Sequence, residues 1–460
     1  MTDAAQFRDR DRTHVLMITN HGVHEWDVVP GLPDTGGQNV YVNQFTEALV
    51  AQGYRVTIVN RGGYPHPTTG EPQAGIRMHP SGRARILYLD DGHGQFVRKE
   101  DMAEQIPALA ADLERVLRED DDTYDLIISH YWDAGALGVE LNDRSGRRAP
   151  HVWVPHSLGA LKKRNMDPST WADLRIDERI EHERALIARL DGAVATSTAI
   201  RDTFIDDYGY EPKYFLPPCV DTDRYRPRTE AECEGIYDFL AEISSFTAEA
   251  LRERLIVTEI SRTDRTKRKD ILIRAFARAR EVVPAAALAV ALDPRAGAAY
   301  DDAMSLVTEL GLEDDVIVLG SVWDKLPCIY AVTSVYCTPS VMEGFGMSAQ
   351  EAAATSKPVV SSDLVPYTRE YLLGDAPDAL IVAGATADEP VLIGEGAIVV
   401  PADDVPGFAE ALTLLLIDEE RRNEMGARAL EITVPYFTWE ARTRDLLDDL
   451  GLTATGAASP

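Results

Sequence analysis

Two carboxylates bracket a glycine turn in the stretch VMEGFGMSAQEAAA, residues 341–354. Phe345, Gly346 and Met347 open the alanine-rich helix that follows, and the first amides of a helix favour an anion such as phosphate. Glu343 precedes that helix and cannot hold phosphate, but a carboxylate there can accept hydrogen bonds from the hydroxyls of a sugar. Glu351, two turns along, can do the same for a ribose. The order hydroxyl, diphosphate, hydroxyl suits a nucleotide sugar. A glycosidase acid pair is the rival reading, and it leaves the nearby cations without a purpose.

Those cations are Arg262 and Lys267 in SRTDRTKRKD, five residues apart after the apolar run LIVTEIS. Both could reach one diphosphate; taken alone, they read first as partners of surface salt bridges. Near the start, DTGGQ places Gly36 and Gly37 where backbone amides can approach an anion, although a bare Gly-Gly is also a plain turn. No GxGxxG fingerprint follows the first strand, which argues against a nicotinamide enzyme.

The elements that must position these residues alternate between strand-like and helix-like segments. In the first half, strand candidates are 14–20, 54–60, 84–90, 125–131, 151–156 and 192–198, with a helix from Gly37 to about 52 and helical spacing over 101–118. FLPPCVDTDRYRPR (215–228) breaks the rhythm and reads as a linker. A largely helical stretch (229–253) precedes further strands at 255–261, 287–293, 316–322, 335–340, 358–363 and 397–401. The segment 437–452 reads as a final amphipathic helix and 453–460 as a frayed tail. Such alternation predicts doubly wound α/β domains with parallel sheets, whose ligands bind beyond the carboxyl ends of strands. Every candidate motif falls there.

Composition narrows the partners. The 460 residues carry 46 basic and 76 acidic side chains, a net charge of −30. That disfavours a nucleic acid partner, which needs a basic face. No apolar run approaches the roughly 20 residues of a membrane span, and the polar start MTDAAQFRDRDRTH lacks the core of a secretory signal. Cys219, Cys233, Cys328 and Cys337 show no metal spacing and read as buried or inert thiols of a reducing, cytoplasmic protein. Only eight of the basic residues are lysines. Four of them cluster in HSLGALKKRN and SRTDRTKRKD, which marks these as places where positive charge is required.

Taken in order, these motifs resemble retaining family 4 glycosyltransferases of the GT-B fold. EGFGMSAQE is similar to their E-x7-E motif and SRTDRTK to their Arg-x4-Lys motif. DTGGQ, SHYWDAG, HSLGALKK, RIEHE and PPCVDTDRYRP resemble the branch of sucrose-phosphate synthase, sucrose synthase and mannosylfructose-phosphate synthase. The resemblance implies two Rossmann-like domains facing across a cleft: an acceptor domain over 1–217, with the helix at about 438–452 packing back on it, and a nucleotide-sugar domain over 218–437. It implies that Arg262 and Lys267 bind the donor diphosphate, Glu351 the ribose and Glu343 the donor sugar. It also implies that Phe345, Gly346, Met347 and Gly37 approach sugar and phosphates, and that His156 lies beside the reacting carbon. Gly36, Gln38, Lys99, Tyr131, Ser157, Lys162 and Arg179 would hold a phosphorylated acceptor such as fructose 6-phosphate. No metal or cofactor is required on this pattern, which leaves room for stimulation by magnesium.

The function expected is transfer of a hexose from a nucleotide sugar, with UDP-glucose, GDP-mannose and ADP-glucose as candidate donors, to a sugar phosphate with retention. An unphosphorylated acceptor is the alternative within the class, and a non-catalytic nucleotide-sugar-binding protein is the alternative outside it. His156 could also be a plain buried strand-end histidine. Composition leaves two accounts of the acidity: adaptation to a salt-rich cytosol, in which screening relieves carboxylate repulsion, or the bias of an arginine-favouring genome. On the first account the melting temperature rises with KCl toward molar concentration; a flat or falling trend in a thermal melt series selects the second.

Overall fold

The computed structural model describes residues 7, 12–28, 32, 34–146, 148–320 and 322–452; the tail at 453–460 lies outside them. The chain divides into two compact units, one of residues 1–218 with 439–460, the other of 219–438.

The first unit is built on β1 (His14–Ile18), β2 (Arg55–Arg61), β3 (Gly75–Met78), β4 (Ala84–Leu89), β5 (Leu126–His130), β6 (His151–Val154), β7 (Gly192–Ala195) and β8 (Tyr214–Phe215). Their order is β3-β4-β2-β1-β5-β6-β7-β8. All neighbours are parallel except β3, which runs against β4. Strands β1, β2, β4 and β5 are buried along their whole length, as expected of parallel strands covered on both faces. The chain winds outward from β1 in one direction and from β5 in the other, so the topological switch lies between these two strands. The terminal helix Trp439–Asp449 belongs to this unit: Trp439 stacks on Phe45 at 5.7 Å and donates its indole N–H to Gln44 at 2.8 Å.

The second unit repeats the plan. β9 (Leu255–Glu259), β10 (Ala286–Ala291), β11 (Val316–Leu319), β12 (Val335–Thr338), β13 (Val359–Ser362), β14 (Asp378–Leu380), β15 (Val391–Ile393) and β16 (Ala397–Val400) assemble in the order β11-β10-β9-β12-β13-β16-β15-β14. The switch falls between β9 and β12. Only β14 and β15 break the parallel pattern. Separate apolar clusters, one around Phe276 and Phe408 and one around Tyr330 and Phe437, make up its core.

Three sequence expectations need correction. The strands β3, β8, β14 and β15 were not expected; each has two to four residues and lies at or next to a sheet edge, too short for a period-2 signal. The helical spacing over 101–118 resolves into a tighter 3-10 segment, Lys99–Gln105, followed by the helix Ile106–Glu119. The cysteines are not all thiols. Cys233 and Cys328 form a disulfide with Cα atoms 5.3 Å apart, whereas Cys219 and Cys337 are buried thiols. The sequence separation of 95 residues hides from the sequence that the segment Glu230–Cys233 packs against the helix Leu326–Val332. Closing so long a loop restricts the unfolded chain, which stabilises by about 2–4 kcal/mol. Cys233→Ser, or a reductant, therefore lowers the melting temperature by several degrees; a melt indifferent to both removes the cross-link from the account.

Candidate active site

In the second unit the expected donor residues converge at the switch between β9 and β12. The loop after β9 carries Arg262 and Lys267; the loop after β12 carries Glu343. Val341 N–H donates to Thr266 O at 2.9 Å, and Ser340 Oγ donates to the same carbonyl at 3.3 Å. These bonds bring the Lys267 ammonium to Glu343 Oε1 at 2.6 Å and to Met342 O at 3.3 Å. Lys267 and Glu343 expose 9% and 17% of their side chains, whereas Arg262 exposes 83% and has Asp264 3.8 Å away. One cation is thus fixed by the protein and the other stands in solvent.

Gly346 turns the chain into the helix Met347–Ala354. Its φ of +111° is a left-handed conformation, and a Cβ there would lie 2.6 Å from Val365, so only glycine serves. Phe345 is buried against Tyr367 and Phe437 and anchors the turn. Gln350 N–H closes the first helical bond to Gly346 O, which leaves the amides of Met347 and Ser348 at the helix start without intrahelical partners. Glu351 lies one turn further. Tyr330 Oη donates to its carboxylate at 2.9 Å. Burial pushes Glu351 up to about 7, against the Tyr330 hydrogen bond and the charge of Arg224.

In the first unit the expected acceptor residues follow β1, β4, β5 and β6. Gly36 donates its N–H to Asn39 Oδ1 at 2.9 Å to start the helix Gly37–Ala51. Gly37 is exposed and Gln38 half-buried in its first turn. Asp34 ties this loop to Lys99 by an ion pair and by accepting the Lys99 N–H. Burial alone would lower Lys99, but the side-chain hydrogen bond and charge of Asp34, with the charge of Glu100, together outweigh it and raise Lys99.

Tyr131 (φ +73°) and His156 (φ +54°) are both left-handed at strand ends. Non-glycine residues in that conformation concentrate at functional sites. His156 Nε2 meets His130 Nδ1 at 2.9 Å, and its ring lies against Tyr131. Burial, then the charge of His21, drives His156 down to about 3. It is a neutral imidazole that can exchange a hydrogen bond with a hydroxyl and is no acid at neutral pH. Ser157 Oγ donates to Tyr131 Oη at 3.3 Å and accepts from Arg179 at 3.1 Å.

Lys99, Lys162, Arg175 and Arg179 line one small open pocket, with Glu100, Glu178, Trp132 and His182. Arg179 is buried but matched. It is an ion pair with Glu183, Nε to Oε1 2.8 Å, and Glu183 also accepts the Gly159 N–H. The i, i+4 spacing on the helix Ile176–Ile187 makes that pair. Lys162 is different: among the described residues no carboxylate lies within ion-pairing distance of its ammonium. Burial, then Arg179 and Lys99, lowers it to about 7.

Several site residues escaped the sequence reading. Arg175 lies one helical turn before Arg179, and that spacing was the available signal. His21, which meets the Asp133 carboxylate at 3.1 Å, and His130 stand at strand ends, the position that singled out His156. Arg224, Tyr225 and Tyr330 reach Glu351 from distant segments, and nothing in the sequence links them.

Residues 35–224 match the model of Glycosyltransferase Family 4, and residues 243–431 that of Glycosyl transferases group 1. The mannosylfructose-phosphate synthase of Agrobacterium fabrum is 30% identical over 387 residues, 78% of this chain and 80% of that protein. A D-inositol 3-phosphate glycosyltransferase of Corynebacterium aurimucosum is 29% identical over 427 residues, 91% of each. In structure, the sucrose-phosphate synthase of Thermosynechococcus elongatus aligns over 96% of this chain and 100% of its own, with a TM-score of 0.75 at 24% identity. The chain is thus a glycosyltransferase of the GT-B fold, and it belongs to glycosyltransferase family 4.

The raised Glu351 has a consequence for stability. A carboxyl whose folded value lies above its unfolded one favours the native state below the unfolded value of about 4.5, and that contribution is lost as pH rises through about 7. Glu351→Gln abolishes the loss. The variant's melting temperature relative to wild type therefore climbs between about pH 4.5 and 7, by on the order of a few degrees, and levels off above. A constant difference across that range would place Glu351 in a solvated environment.

Proposed function

We propose that the protein transfers a hexose from a nucleotide sugar to a sugar phosphate with retention, with fructose 6-phosphate the first acceptor candidate. The observation that carries this reading is the pocket whose cations include Lys162, half-buried and, among the described residues, without a carboxylate in ion-pairing distance, in a chain of net charge −30. An acceptor phosphate supplies the missing anion. Arg179, whose fork is spent partly on Glu183, orients the rim through Ser157. The relative named mannosylfructose-phosphate synthase supports the sugar-phosphate class. The relatives named D-inositol 3-phosphate glycosyltransferase favour a second reading, a phosphorylated cyclitol in the same pocket.

On this reading the second unit takes the donor. As the glycosidic bond to the nucleoside diphosphate breaks, negative charge grows on its β-phosphate. Lys267 and the amides that open the helix Met347–Ala354 are already oriented for that charge, and exposed Arg262 closes on it from solvent, so little of the protein reorganises as it appears. Glu343 accepts hydrogen bonds from the sugar while it holds Lys267 in place. The acceptor hydroxyl attacks the face the leaving group departs from, and its proton passes to the β-phosphate. Neutral His156 orients a hydroxyl of the transferred sugar. Proximity then supplies much of the remaining acceleration.

The test is to incubate the protein with UDP-glucose, GDP-mannose and ADP-glucose against fructose 6-phosphate, fructose and inositol 3-phosphate, reading product mass, anomeric configuration and released nucleotide. Lys162→Ala raises the KM for the phosphorylated acceptor roughly 10- to 100-fold, the loss of a charge-assisted hydrogen bond, and leaves donor hydrolysis nearly intact. Because Lys162 sits at about 7, acceptor KM in the wild type also rises as pH increases through neutrality. Use of free fructose equal to that of fructose 6-phosphate would overturn the phosphate assignment.

A further inference from the structure

Glu351 is reached from two sides by tyrosines that no motif contains. Tyr330, on the helix Leu326–Val332, donates to its Oε2 at 2.9 Å. Tyr225, from the segment that enters the second unit, stands near the same carboxylate and favours its ionised form. The two rings meet edge to face at 5.8 Å. Behind Tyr225 stands Arg224, whose Nε donates to Tyr225 Oη at 3.2 Å and whose guanidinium lies over the Trp323 ring at 4.5 Å, with an Nη bonded to Trp323 O. The guanidinium is therefore held at both ends, by a stacked indole and a carbonyl on one side and by a phenol on the other. The Cys233–Cys328 disulfide joins the segment after Tyr225 to the helix that bears Tyr330.

We propose that Arg224, Tyr225 and Tyr330 form a positioning relay that aims the Glu351 carboxylate at the vicinal hydroxyls of the nucleotide ribose. This rests on the nucleotide-sugar reading of the second unit. The Tyr330 phenol, with the Tyr225 ring packed against it, occupies part of the lone-pair capacity of the carboxylate and leaves the rest in a fixed direction. Arg224 polarises the Tyr225 hydroxyl toward that carboxylate, and its charge favours the ionised form that accepts from hydroxyls. The other titratable groups in this neighbourhood are Asp221, which faces Tyr225, and Tyr336, which faces Tyr330. Neither offers Glu351 a cation. Arg224 is thus the charge that opposes the burial of Glu351. All three are positioning residues, since they act through Glu351.

The experiment is equilibrium binding of intact UDP-glucose, GDP-mannose and ADP-glucose to the full chain without acceptor, between about pH 5.5 and 8.5, where their phosphodiester groups stay fully ionised. For the wild type, affinity increases with pH as Glu351 ionises. Tyr330→Phe, Tyr225→Phe and Arg224→Gln each weaken binding at neutral pH by roughly tenfold, shift the midpoint to higher pH and recover most of the affinity at the alkaline end. Arg224→Lys, which keeps the charge, stays close to wild type. Wild-type affinity and midpoint in all three variants would overturn the relay, as would a loss equal at every pH in variants whose melts show them folded. Failure of the wild type to bind any of the three nucleotide sugars would overturn the donor reading itself, and the relay with it.

Discussion

The ion pair between Lys267 and Glu343, 2.6 Å long, is the contact on which the donor side depends. It joins a loop leaving β9 to a loop leaving β12, the two strands between which the winding of the second sheet reverses. At such a reversal two loops diverge to opposite faces and leave a crevice that strand pairing cannot fill. Here backbone bonds from Val341 and Ser340 to Thr266 draw the loops together again. Lys267 and Glu343 consequently become neighbours. Each neutralises the other, so neither is a lone half-buried charge. Arg262, exposed, completes the cation set at little desolvation cost.

The first unit solves the same electrostatic problem unevenly. Arg179 is buried and matched to Glu183, which in turn caps the Gly159 amide. This is a structural pair whose free donors are lent to Ser157. Lys99 is matched to Asp34, which couples it to the Gly36–Gly37 loop. A ligand that competes for Lys99 therefore also acts on the loop that precedes the helix Gly37–Ala51. Binding and loop position are linked by one ion pair rather than by any long-range path.

Much of this was legible in the sequence because parallel sheets write themselves as apolar runs and place their ligands at the ends of those runs. β1, β9 and β12, and with them Gly36, Arg262, Lys267 and Glu343, follow from that rule alone. What was illegible depends on distant segments meeting. The acidic run 119–122 shows no partner in the sequence, yet burial, which would raise Asp122, is outweighed by His14, then by Arg55 and Arg85, from both of which it accepts, and the carboxyl is held well below the ordinary range. Those two arginines also flank Phe7. The Cys233–Cys328 bond and the Arg224–Tyr225–Glu351–Tyr330 chain were equally invisible. In each case local residue types were ordinary and only the packing of separate elements gave them a role.

The distribution of lysine carries the argument a step further. In an arginine-rich, strongly acidic chain, a surface lysine finds a carboxylate easily, as Lys163 does in Asp177. Interior lysines are satisfied by design: Lys269 by buried Glu259 and the Ala291 carbonyl, Lys357 by the Ala331 carbonyl. Lys162 is half-buried with neither kind of partner among the described residues, and two further cations, Arg179 and Lys99, press on it. Such an arrangement costs stability whenever the ammonium is charged, and a chain with 76 acidic side chains had ample means to relieve it. On the proposed reading, a ligand that brings negative charge accounts for a cation kept beside two others without an ion-pair partner of its own. A phosphate on the acceptor would do so, with oxygens enough for all three.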